Sequence, residues 1–307
     1  MPSGIVLFVF ILTPFLIHHH IILVTMCGRY VTISKIQSIE KRFHVQCADP
    51  SLYQISTNVS PGQLAPIITD SKPSELQFFQ FGFTPSWAKK QFYVINARSE
   101  GDFNKENDPQ YHGAMGIIHK PMFRKSIRSQ RCLVVADAFY EGPKKEKLNK
   151  PHLVYLQNGK RPFAFAGIWD KWVNEVTGQV VHSFAIITTQ ANALMQWIGH
   201  HRSPVVLPRT YEQAWLSGDL PLSEVSSMLK PFPARKMNAY PVSTEVKNPK
   251  HDGLELLKPI GQRIYKEYDY FLYEDYKLEG MGSTTARQRK LSETQADDDH
   301  VIPESHQ

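Results

Sequence analysis

At 307 residues and 42% hydrophobic content, the chain is long enough for one large domain or two small ones and has the material for a sizeable core. Its three cysteines, Cys27, Cys47 and Cys132, are odd in number and lack C-x-x-C spacing, which argues against a disulfide framework and a structural zinc and fits a reducing compartment. The formal charge is +6; residues 1–26 carry no charged side chain and 279–307 carry three Lys or Arg against six Asp or Glu, so the body between holds +9, an excess that suits a polyanion such as nucleic acid and equally suits plain solubility.

The chain opens on an apolar run over 4–17, then His18-His19-His20, then Ile21-Ile22-Leu23-Val24. Pro14 and the histidines interrupt the run, which falls short of the roughly 20 unbroken apolar residues of a membrane span. The positive start and small-residue cleavage site of a secretory signal are both poor here. We read 1–25 as sequence upstream of a true initiator at Met26, ahead of a processed leader and then of a retained anchor. The histidine triplet has no partner cluster that would mark a metal site.

Met26-Cys27-Gly28-Arg29-Tyr30 follows. With Met26 trimmed, Cys27 becomes the first residue and carries a free α-amine beside its thiol. The amine titrates near 7.7–8.0 and the thiol near 8.5, so part of the amine is neutral and nucleophilic at pH 7. Such a 1,2-aminothiol traps aldehydes: the amine forms an imine and the thiol closes a thiazolidine ring. An internal cysteine, its nitrogen in an amide, cannot.

Beyond Tyr30, Ser34 predicts an N-cap for a helix with Ile36, Ile39 and Phe43 on one face. Ile67-Ile68 and 76–83 read as strands, the second ended by Gly82 and Pro85. Further β-like runs cover 131–136, 152–156, 163–169 and 183–189, and 241–243 reads as a last strand. Thr210 and Ser223 predict the caps of two short later helices. Strands outnumber helices and are not spaced by crossover helices, so the class is α+β with much antiparallel pairing. We divide the chain into 1–25, a single domain over 26–278, and a disordered polar tail over 279–307 that includes Asp297-Asp298-Asp299.

Four segments beside Cys27 have chemistry-bearing residues. In Asn96-Ala97-Arg98-Ser99-Glu100, Asn96 can donate and accept hydrogen bonds beside a reacting amine and Arg98 can clamp a phosphate; an ordinary strand end with a surface ion pair accounts for the same residues. In Asp137-Ala138-Phe139-Tyr140-Glu141-Gly142, Glu141 follows an apolar strand and is a half-buried candidate for proton transfer, or else a hairpin-turn carboxylate. In His200-His201-Arg202-Ser203-Pro204, an imidazole can shuttle protons and Arg202 can meet a phosphate; adjacent histidines are not a zinc spacing. Trp87, with Phe81 and Phe83 and near Lys89 and Lys90, can stack unpaired bases, or join a core beside a solvated lysine pair. Cys132, in an apolar run, reads as an inert buried strand residue.

Taken in order, these segments, with Asn58-Val59-Ser60-Pro61-Gly62, the run from Phe81 to Trp87, Arg131-Cys132-Leu133 and Pro241-Val242-Ser243, resemble the SOS response-associated peptidase family of abasic-site processing proteins over roughly 26–260. Three positions depart from the family pattern: Phe81 stands where Trp is common, Gly142-Pro143 where a Trp follows the Glu, and Ser203 where Met or Arg precedes the Pro. The resemblance implies a mostly antiparallel, barrel-like β core flanked by helices. It implies a sensor of abasic sites in single-stranded DNA whose terminal Cys27 captures the open C1′ aldehyde as a thiazolidine crosslink that shields the lesion. It assigns Asn96 to positioning amine and sugar, Glu141 to proton transfer during imine formation, and His200 to opening the sugar ring. Arg98 and Arg29 become phosphate clamps, with Arg202 beside them, Trp87 a stacking platform and Thr188 a lining residue. No cofactor, metal or membrane partner is expected, and the protein is expected to be a monomer in the cytoplasm near the nucleoid or in the nucleus; a replication partner is not readable. An N-terminal-nucleophile thiol peptidase, with Cys27 released from 1–26, and a non-covalent single-strand-binding module are the alternatives.

Overall fold

The computed structural model describes residues 28–267; Cys27, the leader and the tail over 279–307 lie outside the described residues. Fourteen strands order the described residues: β1 Tyr30–Thr32, β2 Gln46–Cys47, β3 Ser56–Val59, β4 Leu64–Thr69, β5 Lys72–Phe81, β6 Asn96–Arg98, β7 Arg131–Ala136, β8 Ala138–Glu141, β9 His152–Leu156, β10 Phe163–Val173, β11 Val180–Gln190, β12 Arg202–Pro204, β13 Val206–Leu207 and β14 Met237–Pro241. Five helices, α1 Ile36–Phe43, α2 Ser126–Ser129, α3 Ala193–Ile198, α4 Arg209–Leu216 and α5 Leu222–Ser227, are interspersed. The class is α+β, as expected. No helix among the described residues is long and apolar enough to cross a membrane.

The pairings β5–β4–β7–β10–β11 are antiparallel, and a parallel contact of β11 with β5 (Ser183 opposite Gln80) closes them into a five-stranded ring. A second sheet runs β14–β9–β8–β1–β3. The chain crosses from ring to sheet at Asp137, between β7 and β8. The Asp137 carboxylate accepts the backbone N–H groups of Ile33 (2.6 Å) and Ser34 (2.8 Å) and the Ser34 hydroxyl (2.5 Å), which ties the end of β1 to that crossing.

The continuous apolar runs follow from burial on both faces. Along β7, Cys132, Val134 and Ala136 join a core shared with the second sheet, through Tyr30, Phe139 and Val154. The alternate residues Leu133 and Val135 join a core on the opposite face, covered by Ile39 of α1, Trp215 of α4 and Val225 of α5. A third core backs the second sheet with Leu256 and Leu257 from the C-terminal part of the described chain. Burial pushes the Cys132 thiol well up, which makes it an inert strand residue.

Several local expectations are corrected. Ser34 does not cap α1: Lys35 occupies the cap position without a side-chain bond, because the Ser34 hydroxyl is held by Asp137. Thr210 and Ser223 lie inside α4 and α5; Pro208 and Pro221 stand at the caps, their φ near −57° and −56° fixed by the ring. The segment 138–141 is a strand, not a hairpin turn, and the last strand is Met237–Pro241.

Candidate active site

Three segments bring the candidate side chains to the rim of the shared core. The first is β8, which pairs with β1 so that Tyr30 faces Phe139 and Val31 faces Ala138. The Tyr140 N–H donates to Arg29 O at 3.0 Å, so the pairing runs on past β1 toward Gly28 and Glu141. Glu141 lies two residues beyond Phe139, a member of the shared core, and points to the same face. It is 4% exposed, more deeply buried than the expected half-buried carboxyl.

The second is the turn after α3. This helix buries Leu194, Met195 and Ile198 and ends at Gly199, whose φ of +84° is the left-handed cap geometry that glycine adopts freely. His200 follows at 6% exposure. Its Nδ1 lies 2.7 Å from the Gly142 carbonyl oxygen and 3.0 Å from Glu141 Oε2. Because a carbonyl only accepts, Nδ1 carries the proton and Nε2 carries the lone pair in the neutral ring. Gly142 is required where it stands: a Cβ there would lie 1.9 Å from Lys147 O. Its lack of a side chain lets the 143–150 loop fold back, where the Lys144 N–H donates to Gly199 O at 3.0 Å.

The third is β6, which pairs in parallel with β11 so that Asn96 meets Ile186 and Arg98 meets Thr188. Ile186 belongs to the shared core and Ala97 to the opposite one, so Asn96 and Arg98 both point to the Glu141 side of the sheet. One Arg98 Nη donates to Asn104 O. Burial lowers the Arg98 guanidinium below its ordinary value, with the Arg202 charge adding to that effect.

Several polar atoms at this rim have no partner, as do others elsewhere in the described chain, such as Thr32 Oγ1, Arg42 Nε and His152 Nδ1. Both amide atoms of Asn96, Glu141 Oε1, His200 Nε2, His201 Nδ1 and Arg98 Nε are buried without a hydrogen-bond partner. Leaving such a group unpaired costs about 1–3 kcal/mol. The His201 ring stacks on His200 with centroids 4.9 Å apart. Burial, then the charges of His200, Lys144, Arg202 and Arg98, push His201 down to about 4. The named charges place the β6, β8–β9 loop and post-α3 segments within electrostatic reach of one another.

Not every expected residue belongs to this cluster. Arg202 is fully buried and meets Glu100 bidentately, Nη1 to Oε1 at 2.9 Å and Nη2 to Oε2 at 2.7 Å, with a further bond to Thr188 O at 2.9 Å. It is therefore a framework residue rather than a phosphate contact, and Thr188, also fully buried, supports it. Arg29 directs its guanidinium to Asn58 Oδ1 (3.2 Å) and to the carbonyls of Val246 (3.2 Å) and Lys247 (3.1 Å), which fastens the start of β1 to the 246–248 segment. Trp87 is 61% exposed and lines a separate groove. Sequence reasoning missed the buried Glu100–Arg202 pair, taking Glu100 for a surface carboxylate. It also passed over His201 as a site member, although the His200-His201 doublet was its only available signal.

The fold is a ring-and-sheet α+β architecture with a buried carboxylate–imidazole pair beside the first strand, and comparison with known proteins supplies the family. The chain belongs to the SOS response associated peptidase (SRAP) family, which it matches over residues 26–249. It is 34% identical over 239 residues to the abasic site processing protein YoqW of Bacillus subtilis, covering 76% of this chain and 99% of that one. It is 26% identical over 246 residues to the abasic site processing protein HMCES of Xenopus tropicalis, covering 69% and 68%. A crystal structure of a Bacteroides thetaiotaomicron protein superimposes with a TM-score of 0.62 at 29% identity, over 73% of this chain and 97% of that one.

Proposed function

We propose that this chain processes abasic sites in single-stranded DNA by capturing the open C1′ aldehyde on Cys27 as a thiazolidine. The observation that carries the reading is the pairing of β1 with β8: the Tyr140–Arg29 hydrogen bond directs the chain start toward Glu141, and Cys27 is bonded directly to Gly28. The relatives named for abasic-site processing support the substrate class.

The chemistry balances without a cofactor. The Cys27 amine adds to C1′ and gives a carbinolamine. Loss of one water gives the imine. The thiol then adds across the C=N bond, sulfur to carbon and proton to nitrogen, closing the ring with no change in oxidation state. Glu141 Oε1, buried and unpartnered, takes the proton from the α-ammonium and returns it to the departing hydroxyl. His200, its Nδ1–H fixed by Gly142 O and Glu141, presents Nε2 for the ring-opening of the sugar hemiacetal. Asn96 has a free donor and a free acceptor to orient amine and sugar. Arg98 lies on the same strand face and contacts the adjoining phosphate.

The test uses protein starting at Met26 and a uracil-excised single-stranded oligonucleotide, run on a denaturing gel. A heat-stable band shift that needs the abasic site supports the reading. Equal binding of intact and abasic strands with no shifted band replaces it with a non-covalent binder, and amide hydrolysis without a shift replaces it with a thiol peptidase.

A further inference from the structure

Resting on the capture by Cys27 set out above, we propose that Asn58 is a positioning residue. With the 244–257 segment it forms a seat that fixes, through Arg29, where the chain start meets the aldehyde. Tyr30 and its partner on β3, Val59, both belong to the shared core. Residues 29 and 58, one step earlier on each strand, therefore turn to the opposite face of the second sheet. That face is covered by Val246, Leu256 and Leu257, which pack with Val31.

Asn58 is fully buried, and both ends of its amide are engaged. Nδ2 donates to His251 O at 2.9 Å, to Asn248 O at 3.0 Å and to Val246 O at 3.2 Å. Oδ1 accepts from Arg29 Nη1 at 3.2 Å. The guanidinium completes the cluster of carbonyl dipoles, with Nη1 on Val246 O at 3.2 Å and Nη2 on Lys247 O at 3.1 Å. Burial lowers the Arg29 guanidinium below its ordinary value, and these charge-assisted bonds to carbonyls replace the water it gives up.

The seat is anchored on both sides. Asp252 accepts from the Thr57 N–H and the Thr57 hydroxyl, each at 2.7 Å, and from the Ser56 hydroxyl at 2.6 Å. Lys247 Nζ donates to Asn149 Oδ1 at 2.6 Å. The 143–150 loop that carries Asn149 is bonded in turn to Gly199, the residue before His200. The main chain of Arg29 is held as well, since its carbonyl accepts the N–H of Tyr140, the neighbour of Glu141. Only Gly28 separates Arg29 from Cys27, and two residues of chain span at most about 7 Å. Holding Arg29 at both its carbonyl and its guanidinium thus limits the reach of the terminal amine. An aldehyde held by bound DNA needs that alignment, whereas a free aldehyde, which can approach from any side, does not.

The experiment uses protein produced from Met26 and measures three quantities: the capture rate on a saturating abasic oligonucleotide, the affinity for the intact strand, and the rate of thiazolidine formation with free propanal. Asn58→Asp turns a carboxylate onto the carbonyls, and Arg29→Gln removes the guanidinium. Each is expected to slow saturated capture by about 10- to 100-fold, the effect of a misplacement of roughly 1 Å, with affinity and propanal rate within about twofold of wild type. Arg29→Lys, which keeps a cationic donor at the seat, is expected to recover part of the loss. Asp252→Ala, which loosens the anchor without touching Arg29 or Asn58, is expected to give a smaller loss of the same kind, and it decides the matter should the buried Asn58→Asp fail to fold. A weaker affinity with a lower salt slope and an unchanged saturated rate makes Arg29 a phosphate contact and overturns the proposal. An equal fall in the propanal rate, which puts the effect on the aminothiol itself, also overturns it, as does no change in any of the three quantities. A wild type that forms no adduct with the abasic strand overturns instead the reading on which the proposal rests.

Discussion

Two buried carboxylates in this structure, Glu100 and Glu141, are bonded in opposite ways. Glu100 meets Arg202 through both oxygens, and Ser99 Oγ adds a third bond at 3.0 Å. Burial alone would raise the Glu100 carboxyl, yet the Arg202 hydrogen bonds and charge hold it below its ordinary value. Glu141 meets His200 through one oxygen at 3.0 Å, and its other oxygen, like His200 Nε2, has no partner. In the first pair both carboxylate oxygens are engaged, and the pair braces the segment after β6 against β12. The second is half open. A buried carboxylate whose two oxygens are both bonded takes up a proton less readily than one with an oxygen left open. The proposed function uses this difference: Glu141 and His200 are the pair it gives the chemistry, and Glu100 and Arg202 the pair it leaves to the framework.

The sharpest way to break that contrast is at Cys27, the nucleophile of the proposed function. Cys27→Ala is expected to abolish the heat-stable adduct on a denaturing gel, and Cys27→Ser to form none of equal stability, since its hydroxyl closes no thiazolidine. The next effect is at the open pair. Glu141→Gln is expected to slow capture by about 10²–10⁴-fold in single-turnover assays, with intact-strand binding retained and unfolding free energy changed by less than about 1 kcal/mol. At the closed pair the signs reverse. Arg202→Ala is expected to cost about 3–5 kcal/mol in urea unfolding by leaving Glu100 buried and unpaired, and Arg202→Met with Glu100→Leu to recover much of it. Slow capture in a fully stable Arg202→Ala would erase the distinction.

The smallest effect concerns pH. The folded chain holds His201 at about 4 against an ordinary 6.5, so the unfolded chain binds the extra proton first as pH falls. Stability is therefore undiminished by this group above 6.5 and declines between 6.5 and 4. Glu100, lowered from its ordinary 4.5, adds its own loss below that value. Thermal melts of His201→Asn are expected to show a flatter slope between pH 6.5 and 4 than the wild type.

What the sequence made legible follows the range of the interactions involved. The runs over β7 and β9 were readable because apolar residues fill both faces between turn residues, and the structure gives Arg131–Ala136 and His152–Leu156 at those positions. Ser34 looked like a helix cap because capping is judged locally, whereas its hydroxyl is taken by Asp137, 103 residues away. The same holds for Arg202, whose partner Glu100 lies 102 residues distant and converts a candidate phosphate contact into a brace. Glu141 and His200 were both singled out, yet only the fold reveals that they meet and which nitrogen of the ring is held. Ring closure by the parallel β11–β5 contact was likewise invisible to periodicity, which reports a strand's faces and not its neighbours.

The central claim is that a terminal amine and thiol on Cys27 do the capturing, and the intact mass of the adduct tests it most directly. Protein produced from Met26 and incubated with an abasic oligonucleotide is predicted to give a species equal to the chain beginning at Cys27 plus the oligonucleotide minus one water. An adduct whose mass retains Met26 or any residue before it, with the Cys27 nitrogen still in an amide, would contradict the account.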